Sequence, residues 1–214
     1  MNLHAGRFLT LEGIEGVGKT TQAARIAGFL ADHGIECIVT REPGGTVLAE
    51  EIRSLVLRAH RESMPATAEL LMMFAARAVH LANRIEPALD KGKWVICDRF
   101  TDATFAYQGA GRGMLDEDIR FLENFVQGSR RPDLTLLLDT SVESGLARST
   151  KRNVGKERDR FEQERSQFFE RVRGGYLARA RAEPDRIAVI DASAAPDAVT
   201  ASIVAVLSSK AWIS

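Results

Sequence analysis

Cysteine is scarce in this chain. Cys37 and Cys97 are the only two among 214 residues, and no C-x-x-C spacing joins them. Both fall in apolar runs, so buried thiols are expected rather than a disulfide or a zinc site. Neither sign of charge is in excess: Lys plus Arg and Asp plus Glu each total 29. That balance argues against a protein that coats DNA or RNA. Long hydrophobic runs are missing too. The longest, Leu70 to Ala76, stops at Arg77 and is too short to span a bilayer. Met1 to Arg7 contains no apolar signal core. A cytoplasmic protein with no membrane or nucleic-acid partner is expected. His4, His33, His60 and His80 are scattered, with no Ser-His-Asp or Cys-His arrangement to suggest nucleophilic catalysis. His80 lies one helical turn after Arg77, where a packing or surface role is the expectation.

What is present is ordinary globular material at a length suited to one domain, residues 1–214. Short apolar runs alternate with longer helical patterns. The runs Arg7–Leu11, Glu36–Thr40, Lys93–Cys97, Leu134–Leu138 and Ile187–Ile190 read as strands covered on both faces. Helices are expected over Thr20–His33, Leu48–Arg58, Ala66–Asp90, Asp116–Gln127, Val142–Lys151, Asp159–Ala182 and Pro196–Leu207. The alternation implies an α/β fold, a five-stranded parallel sheet flanked by helices on both faces.

Gly13-Ile14-Glu15-Gly16-Val17-Gly18-Lys19-Thr20 fits G-x-x-x-x-G-K-[ST] between the first strand and the first helix. Glycines there let backbone N–H groups turn toward an anion, and the helix N-terminus adds unpaired donors. Lys19 would bring a full charge to the β/γ-phosphates of ATP, and the Thr20 hydroxyl would hold Mg²⁺. Thr21 continues the ATP-binding set. Ligands of an open α/β sheet lie beyond the carboxyl ends of its strands. Arg41-Glu42-Pro43-Gly44-Gly45-Thr46, Asp98-Arg99-Phe100, Asp139 and Asp191-Ala192-Ser193 fall at those ends.

A GTPase switch should show N-K-x-D, and none is present. A motor or transporter ATPase usually needs a longer chain. A small kinase needs a second site for a phosphorylated acceptor, which arginines suit because a guanidinium pairs bidentately with phosphate. Arg41, Arg53, Arg77 and Arg99 lie in segments that could face such a cleft.

Here the chain resembles the bacterial thymidylate kinases of the nucleoside monophosphate kinase group, over nearly its whole length. The resemblance rests on Phe8-Leu9-Thr10-Leu11-Glu12-Gly13, Thr40-Arg41-Glu42-Pro43-Gly44-Gly45-Thr46, Phe74-Ala75-Ala76-Arg77, Asp98-Arg99-Phe100, Ala106-Tyr107-Gln108-Gly109 and Asp159-Arg160-Phe161-Glu162-Gln163-Glu164. It implies transfer of the γ-phosphoryl group of ATP to dTMP, with Mg²⁺, by a homodimer joined through Leu48–Arg58 and Ala66–Asp90. It further implies that Arg99 and Arg53 hold the dTMP phosphate. Arg77 would meet a thymine carbonyl, while Thr104 and Gln108 approach the base edge and Glu42 joins this acceptor set. Glu15 would reach the sugar 3′-hydroxyl or the metal shell. Tyr107 would exclude a 2′-hydroxyl, and Asp98 would act around the metal. The family's thymine-stacking aromatic usually lies four residues before the helix arginine. That position is Met73 here, so Phe74, three before Arg77, is expected to stack.

The phosphate-loop residues Ile14, Glu15, Gly16 and Val17 carry no positive charge for the transferred phosphoryl group. The resemblance places that charge in a lid over residues 148–158, with Arg152 and Arg158 as its arginines and Arg148 nearer the adenine. Asp159 and Glu162 read as a capping pair for the following helix, and Glu162 is also assigned to the metal shell. Two alternatives stay open: a kinase for another monophosphate such as UMP, and a nucleotide-dependent switch without transfer activity.

Overall fold

The structure, a computed structural model, describes residues 6–152, 159–210 and 212–213. Its centre is a parallel sheet of β1 (Phe8–Glu12), β2 (Cys37–Arg41), β3 (Trp94–Asp98), β4 (Leu134–Asp139) and β5 (Ile187–Asp191), in the order β2-β3-β1-β4-β5. Each strand ends one residue beyond its apolar run, on Glu12, Arg41, Asp98, Asp139 or Asp191. The ladder therefore carries a charged side chain to the same rim of the sheet five times. Every residue of β1 is buried, whereas Val39 on β2 and Val189 on β5 are about half exposed. Cover on both faces is thus confined to the inner strands, and the two edges are partly open.

Helices α1 (Lys19–Asp32), α2 (Val47–Leu57) and α3 (Ala66–His80) follow the first two strands. Beyond α3 the chain widens into a π-helical turn, Leu81–Ile85, and continues as α4 (Glu86–Leu89). One uniform helix to Asp90 was expected. Pro87 has no N–H and its ring clashes with the carbonyl four residues back, and the wide turn before it relieves that conflict. After β3 come α5 (Thr101–Thr104) and a second π-helical segment, Phe105–Gly111, which the apolar pattern did not announce. Then follow α6 (Asp116–Gln127), α7 (Val142–Arg152), α8 (Ser166–Ala182) and α9 (Pro196–Ser209).

Helix α8 starts seven residues later than expected from Asp159. The capping pair is present but closes a single turn: Asp159 Oδ1 accepts from the N–H of Phe161 and of Glu162 at 2.9 Å each, and Glu162 Oε2 accepts from Asp159 N at 3.3 Å. Arg165 is extended (φ −79°, ψ 158°) and separates that turn from the helix. Phe161 is buried, and Arg160 N donates to Leu57 O at 2.9 Å, so the turn is tied to α2. The apolar core spans both faces of the sheet, from Ile26 and Leu30 of α1 to Phe169, Val172 and Tyr176 of α8.

Candidate functional site

The loop from Gly13 to Gly18 turns out of β1 into α1. Gly13 has φ 129°, and a Cβ there would lie 2.3 Å from Leu138 O. Gly16 has φ 76°, and a Cβ there would lie 2.0 Å from Gly145 O. Only glycine allows both the left-handed backbone and the close approach of β4 and α7. Ile14 and Val17 are buried in the core, so the loop offers its backbone, not these side chains, to a ligand. Helix α1 opens after Gly18 with no side-chain cap, which leaves its first N–H groups available.

Lys19 folds back over the loop, donating to Gly13 O at 3.1 Å and Ile14 O at 2.8 Å. Burial, and then the positive charge of Arg99, lowers its pKa to about 8. Thr20 Oγ1 donates to Asp98 Oδ2 at 3.1 Å, joining the start of α1 to the end of β3. Among the described residues no group of three or more His, Cys, Asp or Glu side chains could hold a metal ion by itself. Thr20 and Asp98 do present adjacent hard oxygens. That donor set fits Mg²⁺, which binds through one or two protein groups and completes its shell with phosphate and water.

A cavity of about 510 Å³ opens on one side of the loop. It is lined by Glu15, Lys19, Thr20 and Asp98, by Arg53 of α2 and by Arg99, the residue after β3. Arg53 is anchored by a 2.7 Å bond to Pro43 O, and burial, with the neighbouring charge of Arg41, lowers its pKa. Arg99 takes a left-handed backbone (φ 73°) unusual for a bulky residue. Its Nη1 donates to Gly13 O at 2.8 Å and Tyr176 Oη at 2.9 Å, and its Nη2 to Glu15 Oε1 at 3.0 Å. Burial works against this guanidinium, but Tyr107, Tyr176, Glu15 and Asp98 outweigh it and raise the pKa well above the usual arginine range.

The far end of the cavity is made by Met73, Tyr107 and Gln108. Tyr107 Oη donates to both carboxylate oxygens of Glu15, at 2.8 and 2.9 Å, and the ring is wedged edge-on among Phe161, Phe168 and Tyr176. Arg77 and Thr104 sit fully buried behind this wall. Arg77 Nε donates to Glu42 Oε2 at 2.7 Å, and its Nη2 to Thr104 Oγ1 at 3.0 Å. Glu42 Oε1 also bonds His80 Nδ1 at 3.0 Å, so His80 packs behind the site. Among the described residues, two buried polar atoms here have no partner: Arg77 Nη1, a donor, and Gln108 Oε1, an acceptor.

Phe74 does not line the larger cavity. It belongs to a buried cluster with Leu70, Phe105 and Ile119, and the Arg77 guanidinium lies 4.8 Å from its ring centroid. Met73 reaches the cavity instead. Offsets of three and four share one helix face only loosely, about 100° being spent per residue, and packing against α6 decided between them.

A second cavity of about 360 Å³ lies on the other side of the loop, bounded by Gly18, Thr21, Arg148, Ser193 and Pro196. Arg148 donates to Ala192 O at 2.7 Å and Ser193 O at 3.1 Å, joining α7 to the segment after β5. Residues 148–152 of the expected lid continue helix α7 rather than forming a loop. The side chain of Arg152, and residues 153–158 with Arg158, lie outside the described residues. Glu162 lines the larger cavity.

Sequence reasoning missed the carboxylates beneath the site. Glu12 is fully buried; its Oε1 accepts from Phe100 N at 2.7 Å and its Oε2 from Tyr176 Oη at 2.8 Å. Burial, then repulsion from Asp102, raises its pKa to about 7. Asp102 accepts from Arg179 and Arg186, and Glu69 from Gln108, Arg112 and Arg160. Glu12 and Asp102 stand beyond the apolar runs of their strands, where charged residues are ordinary, and so carried no signal of burial.

A parallel sheet in this order, with a phosphate loop after its first strand and a cavity on each side of that loop, defines a P-loop nucleotide kinase fold. The family model for thymidylate kinase matches residues 11–203. The chain is 58% identical over 206 residues to a thymidylate kinase of Chromohalobacter salexigens, covering 96% of each. It is 52% identical over 211 residues to one of Alkalilimnicola ehrlichii, covering 98% of this chain and 96% of that one. The crystal structure of thymidylate kinase from Ehrlichia chaffeensis superposes with a TM-score of 0.78 at 33% identity, over 95% of this chain and 99% of that one. The chain belongs to the thymidylate kinase family.

Proposed function

We propose that this kinase moves the γ-phosphoryl group of ATP to the phosphate of dTMP, giving dTDP and ADP, with Mg²⁺ present. The observation that carries the acceptor reading is the pair of unpartnered buried atoms. Arg77 Nη1 offers a donor and Gln108 Oε1 an acceptor. Thymine presents N3–H as a donor, which suits Gln108 Oε1 on the cavity wall, and O4 as an acceptor, which Arg77 Nη1 would meet from behind that wall. Cytosine presents the reverse, and leaving both groups unsatisfied is costly. Uracil shares the thymine edge, and there Tyr107 discriminates. Its ring is locked by Glu15 and three aromatic neighbours, so it could not yield to a ribose 2′-hydroxyl.

Arg99 and Arg53 would grip the acceptor phosphate and Lys19 the donor's, bringing the two anions end to end across the phosphate loop. Bound Mg²⁺ neutralises phosphate charge, and Thr20 and Asp98 would hold it, with Glu162 on the same wall. The smaller cavity beside Arg148 would take the adenine. Arg152 and Arg158 remain the proposed lid arginines. Equal numbers of acidic and basic residues suit a protein with no nucleic-acid partner. No helix among the described residues is long and apolar enough to cross a membrane, and a cytoplasmic location is proposed. A homodimer is proposed as well. Exposed apolar side chains on α2 (Val47, Leu48, Leu55) and α3 (Leu71) are joined by Phe121 and Phe125 on α6, which packs beside α3 and extends the face expected to pair.

Steady-state turnover of dTMP, UMP, dCMP and AMP with ATP and Mg²⁺ tests the reading. dTMP should lead by orders of magnitude. Faster use of UMP or AMP would assign the acceptor differently, and ATP binding with no phosphorylated product from any of the four would favour a switch.

A further inference from the structure

Glu69 of α3 has no solvent exposure. Its Oε1 accepts from Gln108 Nε2 at 2.7 Å and, more distantly, from Arg112 Nε at 3.4 Å. Its Oε2 accepts from Arg160 Nη2, in the turn that precedes α8. The other end of the Gln108 amide, Oε1, is buried and has no partner among the described residues, on a side chain that lines the larger cavity.

A primary amide has two orientations of nearly equal shape, related by exchanging its donor and acceptor ends. Nothing in the volume of a glutamine selects between them. The neighbour does. A carboxylate gripped by two guanidinium groups offers only acceptors, so a flipped Gln108 would set its oxygen against Glu69 Oε1. One orientation survives: nitrogen to Glu69, oxygen left for the ligand.

We infer that Glu69 is a positioning residue that fixes the Gln108 amide with its oxygen outward, and so selects a base whose edge donates at that point over one whose edge accepts. The inference deepens the dTMP reading of this cavity and rests on it. Thymine and uracil donate through N3–H; cytosine accepts through N3. Glu69 touches no substrate and acts through a residue 39 positions away in the chain. Its other contacts, with Arg112 and Arg160, would serve an ion-pair hub equally well, so the test must separate orientation from anchoring.

The measurement is the ratio of kcat/KM for dTMP to that for dCMP, with dCMP read as a competitive inhibitor where its turnover is too slow. Glu69→Gln gives position 69 both a donor and an acceptor, which frees Gln108 to flip. The ratio should fall roughly tenfold or more, through a higher KM for dTMP, with the KM for ATP within about twofold of wild type. Arg160→Met removes an anchoring contact but leaves Glu69 on Gln108, and should keep the wild-type ratio. Should the stranded guanidinium prevent Glu69→Gln from folding, the double variant Glu69→Gln/Arg160→Met replaces it, with Arg160→Met as reference. A wild-type ratio in the Glu69→Gln background, or an equal fall in Arg160→Met, overturns the inference. A wild-type enzyme with no preference for dTMP over dCMP overturns the reading of the cavity itself.

Discussion

Arg99 Nη2 donates to Glu15 Oε1 at 3.0 Å. The guanidinium assigned to the acceptor phosphate is thus tied to a carboxylate inside the donor's own phosphate loop. The same Glu15 oxygens receive the Tyr107 hydroxyl, so one carboxylate fixes both the arginine proposed to hold phosphate and the ring proposed to lie beside the sugar. Arg99 has a left-handed backbone (φ 73°), and its guanidinium is anchored by Gly13 O, Tyr176 Oη and Glu15 Oε1, which would position it for a phosphate. Arg99→Ala should lower kcat/KM for dTMP on the order of 10³-fold, as loss of a buried charge pair with phosphate does. The KM for ATP should change only a few-fold. Separate substrate titrations check this, and unchanged dTMP kinetics would remove Arg99 from the acceptor site.

Lys19 is the corresponding group proposed for the donor side. Its ammonium is buried and its pKa lowered to about 8, so near neutral pH the folded state carries a cation at a desolvation cost. Lys19→Met should therefore lower kcat by at least about 10²-fold while leaving the melting temperature equal to wild type or higher. Near-normal turnover would refute the phosphate-loop mechanism; a large loss of stability would contradict the electrostatic account.

Glu12 makes a stability prediction with a definite sign. Its folded pKa, about 7, lies above the ordinary value of 4.5. Between those values the folded state binds more protons than the unfolded one, so this group's contribution to stability falls as pH rises from about 4.5 to 7 and is constant above. The full difference is roughly 3 kcal/mol. Glu12→Gln lacks the titration. Urea unfolding at pH 5, 6 and 7 should show wild type losing stability relative to the variant as pH increases. Parallel curves would sink the assignment.

Met73 and Phe74 separate by phenotype. Phe74→Leu disturbs the cluster with Leu70, Phe105 and Ile119 and should cost about 1–3 kcal/mol of stability, with the KM for dTMP within about twofold. Met73→Ala, at the cavity wall, should raise that KM several-fold with a smaller thermal effect. The opposite pattern would restore Phe74 as the stacking residue.

Phe121 and Phe125 stack with ring centroids 6.4 Å apart on α6, 69% and 79% exposed. Two large aromatics that far into solvent are expected to be covered in the proposed homodimer. Phe121→Ser/Phe125→Ser should shift the light-scattering mass from dimer toward monomer. A wild-type mass of one chain would end the proposal.

The phosphate loop, the five strands and the charged rim could be read from the chain because each is encoded locally. Gly13, Gly16 and Gly18 meet backbone demands within eight residues, and an apolar run carries its own strand. The π-helical segment Phe105–Gly111 could not be read this way, since its turn is set by packing against α8.

By itself, then, the sequence determined the five strands in their order along the chain and the phosphate loop, whose residues are contiguous. Only the tertiary structure decided that Met73 faces the cavity, that Glu69 meets Gln108, and that Glu12 reaches Tyr176 across 164 residues. Buried polar groups take whichever partner the folded sheet and its helices bring within about 3 Å, and that partner is not written beside them in the chain.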